Sequence, residues 1–304
     1  MTVFESIPKV FPAEKTAVAL GIFDGLHKGH MTVLQSLIEA SKSNGLTPLV
    51  FTFDTSESRP GSKTPKRLLS DCTRNEILEK IGAEYVLSPG FPEFRDMQPS
   101  DFSVFLTRRL NAKAVFCGED FRFGKGAEAG SLDLKAYLDG KSSVHVIKTV
   151  TALGGVVSST RIKQLLESGD IAAANTLLGR PFSISAPVIR GRGIGLLHLL
   201  RTANQLYPRD FAVPRYGVYA SETAVNDKRH ASVTNIGVKP TVGSAQLLAE
   251  THIFDFSGDL YGSVISVSLL GFIRDEKRFS SLELLKAQIV KDSALARDIY
   301  NTKL

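Results

Sequence analysis

The sequence predicts an α/β fold in two parts: a parallel sheet flanked by helices, then a small antiparallel β-barrel closed by a terminal helix. Three observations lead there. Near-continuous apolar runs alternate with helix-period segments between residues 16 and 150, the pattern of strands buried on both faces of a sheet. After GRPF at 179–182 the character changes to short strand-like runs separated by turn residues, the pattern of an antiparallel sheet or barrel. One helical period, over 280–300, closes the chain. A length of 304 residues suits two domains with a core each, and the change of character places the boundary at 182, dividing 1–182 from 183–304.

The elements follow in order. Residues 16–23 (TAVALGIF) form the first strand, and 30–45 a helix, with Val33, Leu34, Leu37 and Ile38 on one face and Gly45 as its stop. A strand at 47–53, a helix at 71–82 closed by glycine, and a strand at 84–88 come next. The segment 100–111 reads as a helix with Ser100 as its N-cap. Strands at 113–118 and 144–150 complete the sheet. In the second part, strands are expected at 183–189, 216–221, 230–237, 247–256 and 263–274. The closing helix carries Leu284, Leu285, Ile289 and Ile299 on its packed side.

Composition narrows the function classes. With 43% hydrophobic and 22% charged residues the chain is an ordinary globular protein. No run approaches the ~18 apolar residues of a membrane span, and the N-terminus lacks the basic-then-apolar pattern of a signal peptide, so a cytoplasmic protein without membrane partners is expected. The two cysteines, Cys72 and Cys117, have no metal-ligand spacing; both are expected to be buried structural thiols. A net charge of +6 favours acidic partners such as phosphates and nucleotides. The basic clusters, KTPKR at 63–67 and Arg190 with Arg192, are short and lack interleaved aromatics, which argues against nucleic acid.

Three segments carry chemistry. GIFDGLHKGH at 21–30 sits where the first strand gives way to a helix. Ligands of open α/β sheets bind beyond the carboxyl ends of strands, and a helix N-terminus there offers free N–H groups to phosphate. Gly21, Phe23, Asp24, Gly25 and Gly29 shape that turn, and His27 and His30 can donate to phosphate oxygens. VVSSTRIKQLLESGD at 156–170 places Ser158, Ser159, Thr160 and Arg161 at another helix start. Serines and threonines there ordinarily cap, while Arg161 adds a guanidinium suited to a triphosphate. GEDFRFGKGAEAG at 118–130 sets Asp120, Phe121, Phe123 and Gly124 in a glycine-bracketed loop able to hold a flat ring and its polar edge.

The order FDGxHxGH resembles the signature of the Rossmann-like nucleotidyltransferases with an HxGH motif. The DFRFG loop, the SSTRI segment and LLGRP at 177–181 narrow the resemblance to the bacterial bifunctional riboflavin kinase/FMN adenylyltransferase family. The resemblance implies transfer of AMP from ATP to FMN in the first domain, with Mg2+. His27, His30, Ser158, Ser159, Thr160 and Arg161 would lie on the triphosphate, Asp24 near the metal or ribose, and the DFRFG loop on the flavin. It also implies ATP-dependent phosphorylation of riboflavin in the barrel, marked by NIGVKPT at 235–241, AETHIFDFSGDLYG at 249–262 and FIRDEKRF at 272–279. Glu250 matches the family's proposed base, and Thr202 and Asn204 its metal- and phosphate-binding pair.

The chain departs from the family at several points. Ile22 replaces the asparagine of GNFDG, and TFDTSE at 52–57 stands for TFDPHP. In RGRGIGLLHLLRTANQ at 190–205, the family's GRxLGFPTAN keeps Thr202, Ala203 and Asn204, but Arg201 replaces proline and Leu199 a glycine. A bulky run where backbone should approach phosphate removes room and permitted φ angles, so kinase activity is lost, reduced or reached through a shifted loop. Two alternatives to the leading reading stay open: another nucleotidyltransferase on the same scaffold, and a flavin- or nucleotide-binding regulator with decayed catalysis.

Overall fold

The structure is a computed structural model that describes residues 1–9, 11, 12, 14–53, 66–190, 201–226, 228–241 and 244–302. It divides into two compact units, Met1–Ser159 and Thr160–Leu304.

The first unit runs β1 (Thr2–Phe4), β2 (Thr16–Leu20), α1 (Lys28–Asn44), β3 (Thr47–Phe51), α2 (Asp71–Ile81), β4 (Tyr85–Leu87), α3 (Pro92–Arg95), α4 (Pro99–Val104), β5 (Ala112–Gly118), β6 (Arg122–Phe123), β7 (Ala129–Gly130), α5 (Leu134–Leu138), β8 (Ser143–Ile147), β9 (Thr151–Ala152) and β10 (Gly155–Val156). Six strands form one sheet in the order β1-β4-β3-β2-β5-β8, and every pairing in it is parallel. The expected strands are all present, with β2 ending at Leu20 because the chain leaves the extended region at Phe23, whose φ is 45°. Alternation sorts each strand between two cores. Val18, Leu20, Leu49, Phe51, Val115 and Cys117 face an aromatic layer of Phe94, Phe102 and Phe105. Ala17, Ala19, Val50, Ala114 and Phe116 face Leu34 and Leu37 of α1 and Leu78 of α2. Gly45 and Gly82 end α1 and α2 in the left-handed region, as expected.

Two expectations are corrected here. Ser100 is not an N-cap: α4 starts one residue earlier, with Gln98 at the cap position and Pro99 at its first turn, because proline's fixed φ and missing N–H suit that place. The helix then widens into a π-turn over Phe105–Arg109. Cys117 is buried, but Cys72 is exposed; it sits in the first turn of α2, where its Sγ donates to Glu76 Oε1 at 3.4 Å.

The second unit holds α6, whose span Ser159–Ser168 starts at the unit boundary, then α7 (Ile171–Leu178), β11 (Phe182–Ile189), β12 (Ala203–Leu206), β13 (Gly217–Val225), β14 (Lys228–Thr241), β15 (Ser244–Ile253), β16 (Val264–Arg274) and α8 (Leu282–Thr302). The six strands close into a barrel, β11-β12-β15-β14-β13-β16, antiparallel throughout. The packing divide precedes the change in sequence character because α6 and α7 are tied to the barrel. Arg215 N donates to Leu166 O, Asn175 Nδ2 to Leu269 O, and Phe182 N to Asn175 Oδ1.

Inside the barrel the small polar residues turn inward. Ser221, Thr223, Ser232, Thr234 and Thr251 are fully buried and bond one another at 2.7–2.9 Å, so their desolvation is offset. Nearly all of β13 is buried, since α8 covers its outer face through Ala296 and Ile299 against Ala220. The expected packed side of α8 is corrected at Leu284, which is 55% exposed; Asp292 and Ala296 are the buried positions of that helix.

Candidate functional site

In the first unit the chain moves from β2 through β3 to β4 on one side of the sheet, then returns to place β5 on the other side of β2. The carboxyl ends of β2 and β5 therefore flank the topological switch point, where open α/β sheets bind ligands. The FDGLHKGH turn follows β2, and the GEDFRFG turn follows β5. Two segments about a hundred residues apart in sequence are thus neighbours at one edge, with Leu20 in register with Cys117.

Backbone strain and aromatic packing shape the first turn. Phe23 and Leu26 both adopt positive φ, 45° and 42°, a conformation costly for bulky residues and held only where surroundings demand it. Both are buried. Phe23 meets the edge of the His30 ring at 5.2 Å between centroids. His27 is the N-cap of α1, and its Nδ1 accepts from His30 N at 3.3 Å. A nitrogen that accepts carries no proton, so the ring proton of His27 sits on Nε2. The two imidazoles stack at 3.7 Å and 21°. Gly29 makes this possible: a Cβ there would lie 3.2 Å from Cε1 and Nδ1 of His27. Gly21 and Gly25 likewise admit neighbouring side chains, the Phe23 ring and Leu68, at 2.9 Å from a would-be Cβ.

Asp24 reaches the start of α6, where its Oδ1 accepts from Ser159 Oγ at 2.5 Å. The FDG and SST segments are thereby joined by a side-chain hydrogen bond. Ser158 and Arg161 are half-buried and Thr160 is exposed. Thr52, to which the sequence alone assigns no role, supports the turn by donating to Ile22 O at 2.6 Å.

In the second turn, Asp120 is exposed and Phe121 half-buried. Phe123 is core: it is 6% exposed and packs against Phe102 and Tyr137. Phe121 lies parallel to it, 6.0 Å away, as the outer leaf of that pair. Gly124, with φ 80°, lets Pro99 pack where a Cβ would be 2.5 Å from the proline ring. Glu119 anchors the turn by accepting from Thr149 N and Oγ1, both at 2.8 Å, and these bonds hold its carboxyl below the usual range.

The second unit holds a cavity of about 220 Å³ between the barrel wall and α8, lined by Thr202, Asn235, Glu250, His252, Arg274 and Glu276 among others. Asn204 on β12 and Asn235 on β14 both pair in register with Glu250 on β15, which places the three on one face. Asn204 Nδ2 donates to Thr202 O at 3.4 Å. Lys239 Nζ lies 3.7 Å from Glu250 Oε2 and 2.8 Å from Glu276 Oε1. Arg274 grips both oxygens of Asp292 on α8, at 2.7–3.1 Å, and Gln288 donates to the same carboxylate. Thr202, Asn204 and Glu250 are expected from the sequence; NIGVKPT and FIRDEKRF supply four further residues, Asn235, Lys239, Arg274 and Glu276. The stretch 191–200, where the chain departs from the family's glycine pattern, lies outside the described residues.

Magnesium needs hard oxygen donors and keeps several waters and phosphate oxygens in its shell. The hydroxyl of Thr202 and the amide oxygen of Asn204 are such donors. Among the described residues no group of three or more His, Cys, Asp or Glu could hold a metal.

A strand-turn-helix segment with a stacked histidine pair on a doubly wound parallel sheet, joined in one chain to a carboxylate-lined cavity on a small barrel, defines a two-domain class of an α/β unit with a β-barrel unit. Comparison with known proteins specifies it. A family model described as FAD synthetase matches residues 11–161, and one described as riboflavin kinase matches 178–300. The bifunctional riboflavin kinase/FMN adenylyltransferase of Escherichia coli (strain K12) is 36% identical over 295 residues, covering 95% of this chain and 94% of the relative. That of Bacillus subtilis (strain 168) is 33% identical over 285 residues, covering 91% and 90%. The chain belongs to the bifunctional riboflavin kinase/FMN adenylyltransferase family. A crystal structure from Streptococcus pneumoniae, described as a macrolide-efflux protein, matches with a TM-score of 0.88 and 27% identity over 97% of this chain and 98% of that one. Among the described residues, no helix is long and apolar enough to cross a membrane.

Proposed function

We propose that the chain makes FAD in two ATP-dependent steps: residues 183–304 phosphorylate riboflavin to FMN, and residues 1–182 transfer AMP from ATP to FMN. The observation that carries the reading is the pairing of turns at the switch point. The turn after β2 presents stacked histidines at a helix N-terminus, and the turn after β5 presents a half-buried aromatic beside it. One suits a triphosphate and the other a flat heterocycle.

In adenylyl transfer an oxygen of the FMN phosphate attacks the α-phosphorus of ATP. The bond from that phosphorus to the bridging oxygen breaks, and pyrophosphate leaves. Catalysis of this kind is positioning and charge stabilisation. His27 Nε2–H is a preset donor, because its Nδ1 is committed to the α1 backbone. His30 is held by the stack and by Phe23. Asp24 holds Ser159 so that the first turn of α6, with Ser158, Thr160 and Arg161, takes the outer phosphates. Asp120 and Phe121 face the flavin, while Phe123 and Gly124 build the floor beneath Phe121.

In the barrel, Glu250 accepts the proton of the ribityl 5′-hydroxyl as that oxygen attacks the γ-phosphorus and ADP leaves. Thr202 and Asn204 would hold Mg2+, which, when bound, would neutralise charge on the transferring phosphates. Partners are small molecules: ATP, FMN and riboflavin. The cytoplasm is the compartment that supplies them.

Incubation of the purified chain with ATP and Mg2+, once with riboflavin and once with FMN, followed by chromatography of the flavins, tests both steps. FAD from both substrates is expected. FAD from FMN alone would remove the kinase half of the reading, and no product from either would remove the whole.

A further inference from the structure

The cavity on the barrel has a wall that the strand ladder does not fix. β12 is four residues long, and its pairing with β15 begins at Ala203 opposite Thr251. Thr202, which lines the cavity, lies one residue outside that ladder. Beyond the last rung a side chain takes over: His252 Nδ1 lies 3.0 Å from Arg201 O. A carbonyl only accepts, so Nδ1 carries the proton and donates. The neutral Nδ1–H tautomer and the imidazolium serve equally. The ring is oriented by Phe254, whose edge-to-face contact has a centroid distance of 5.5 Å. His252 is two residues from Glu250 on the same strand, and both line the cavity, as a strand's period of two requires.

Resting on the reading that the barrel phosphorylates riboflavin, we propose that His252 is a positioning residue for the Mg·ATP side of that reaction. Its imidazole supplies the rung that β12 lacks and holds Arg201–Thr202 so that the Thr202 hydroxyl stays at the cavity beside Glu250. The effect runs through Thr202 to the nucleotide and its ion, not to riboflavin.

Two variants separate the hydrogen bond from the packing. His252→Phe keeps a ring against Phe254 and removes the donor. His252→Asn loses the ring but places an amide N–H close to where Nδ1–H stands. For FMN formation, H252F is expected to raise the KM for Mg·ATP about five- to tenfold, the worth of one net hydrogen bond. The KM for riboflavin, the melting temperature and FAD formation from FMN should hold within about twofold or a degree or two of wild type. H252N should recover most of the Mg·ATP KM. An H252F enzyme with an unchanged Mg·ATP KM would overturn the inference while leaving the kinase reading intact. So would an H252N enzyme no better than H252F, or a rise in the riboflavin KM in place of the Mg·ATP one. A wild-type chain that forms no FMN would overturn both.

Discussion

The two sites are built in opposite ways. The histidine turn of the first unit comes from one stretch of ten residues, and its decisive contacts are local: His30 N to His27 Nδ1, the stacked imidazoles, and Phe23 against His30. The cavity of the second unit draws Thr202, Asn235, Glu250, Arg274 and Asp292 from five separate elements or their ends. A local site fails through small displacements within one turn. An assembled site fails when the elements that carry its walls part company.

The largest effect is expected where the assembled site is held together. Asp292→Ala leaves the partly buried Arg274 guanidinium without its carboxylate; because only Asp292 is fully buried, the cost is expected to be about 2–3 kcal/mol, below that of breaking a fully buried pair. Denaturant unfolding should show that loss, with FMN formation falling before FAD formation. Equal loss of both activities would blur the contrast. Next come the reacting groups. His27→Ala should lower FAD formation by about 10²–10³ in kcat and leave FMN formation unchanged, the usual cost of a lost transition-state donor. Glu250→Gln should do the reverse, by about 10²–10⁴. A variant that impairs both steps equally would break the assignment of one step to each unit.

A smaller test uses the sheet beneath the first site. Burial pushes the Cys117 thiol up to about 12, with nearby Asp120 adding to the shift. An unfolded thiol releases its proton near 8.5, so the unfolded state binds fewer protons above that pH. Stability is therefore intact below about pH 8.5 and declines as pH rises towards 12, by about 2 kcal/mol at pH 10. Alkylation at pH 8 should label exposed Cys72 and spare Cys117 until the protein unfolds. Rapid labelling of both in the native state would contradict this burial. The smallest effect belongs to Gly29→Ala. The added carbon presses on the His27 ring, and FAD formation should fall about tenfold with the fold kept. Wild-type kinetics would show that the stack tolerates displacement.

The same contrast explains what was legible in the sequence. The parallel sheet could be read because each strand is apolar on both faces and each helix has one apolar stripe. The histidine turn could be picked out because its glycines and histidines sit at fixed offsets along the chain. Phe123 could not be told from Phe121: both stand in one glycine-bracketed loop, and only packing against Phe102 and Tyr137 makes one of them core. Cys72 shows the same limit, since an apolar neighbourhood in sequence does not say which face of α2 a residue occupies. In the barrel, the strands were visible but β12 was hidden inside a motif associated with phosphate. The signals for Lys239, Arg274 and Glu276 lay in two quoted segments, yet nothing in either says that they meet over Glu250.

The sequence by itself determined the two-part architecture, the strand-turn-helix segment after the first long strand and the histidine pair within it. Periodicity and local turn chemistry act over a few residues and leave a mark in the order of side chains. Only the tertiary structure decided that the turns after β2 and β5 share an edge, that a network of small hydroxyls is buried inside the barrel, and that Asp292 of α8 closes on Arg274. Those outcomes depend on strand order, barrel closure and burial, which arise from contacts between residues far apart in the chain.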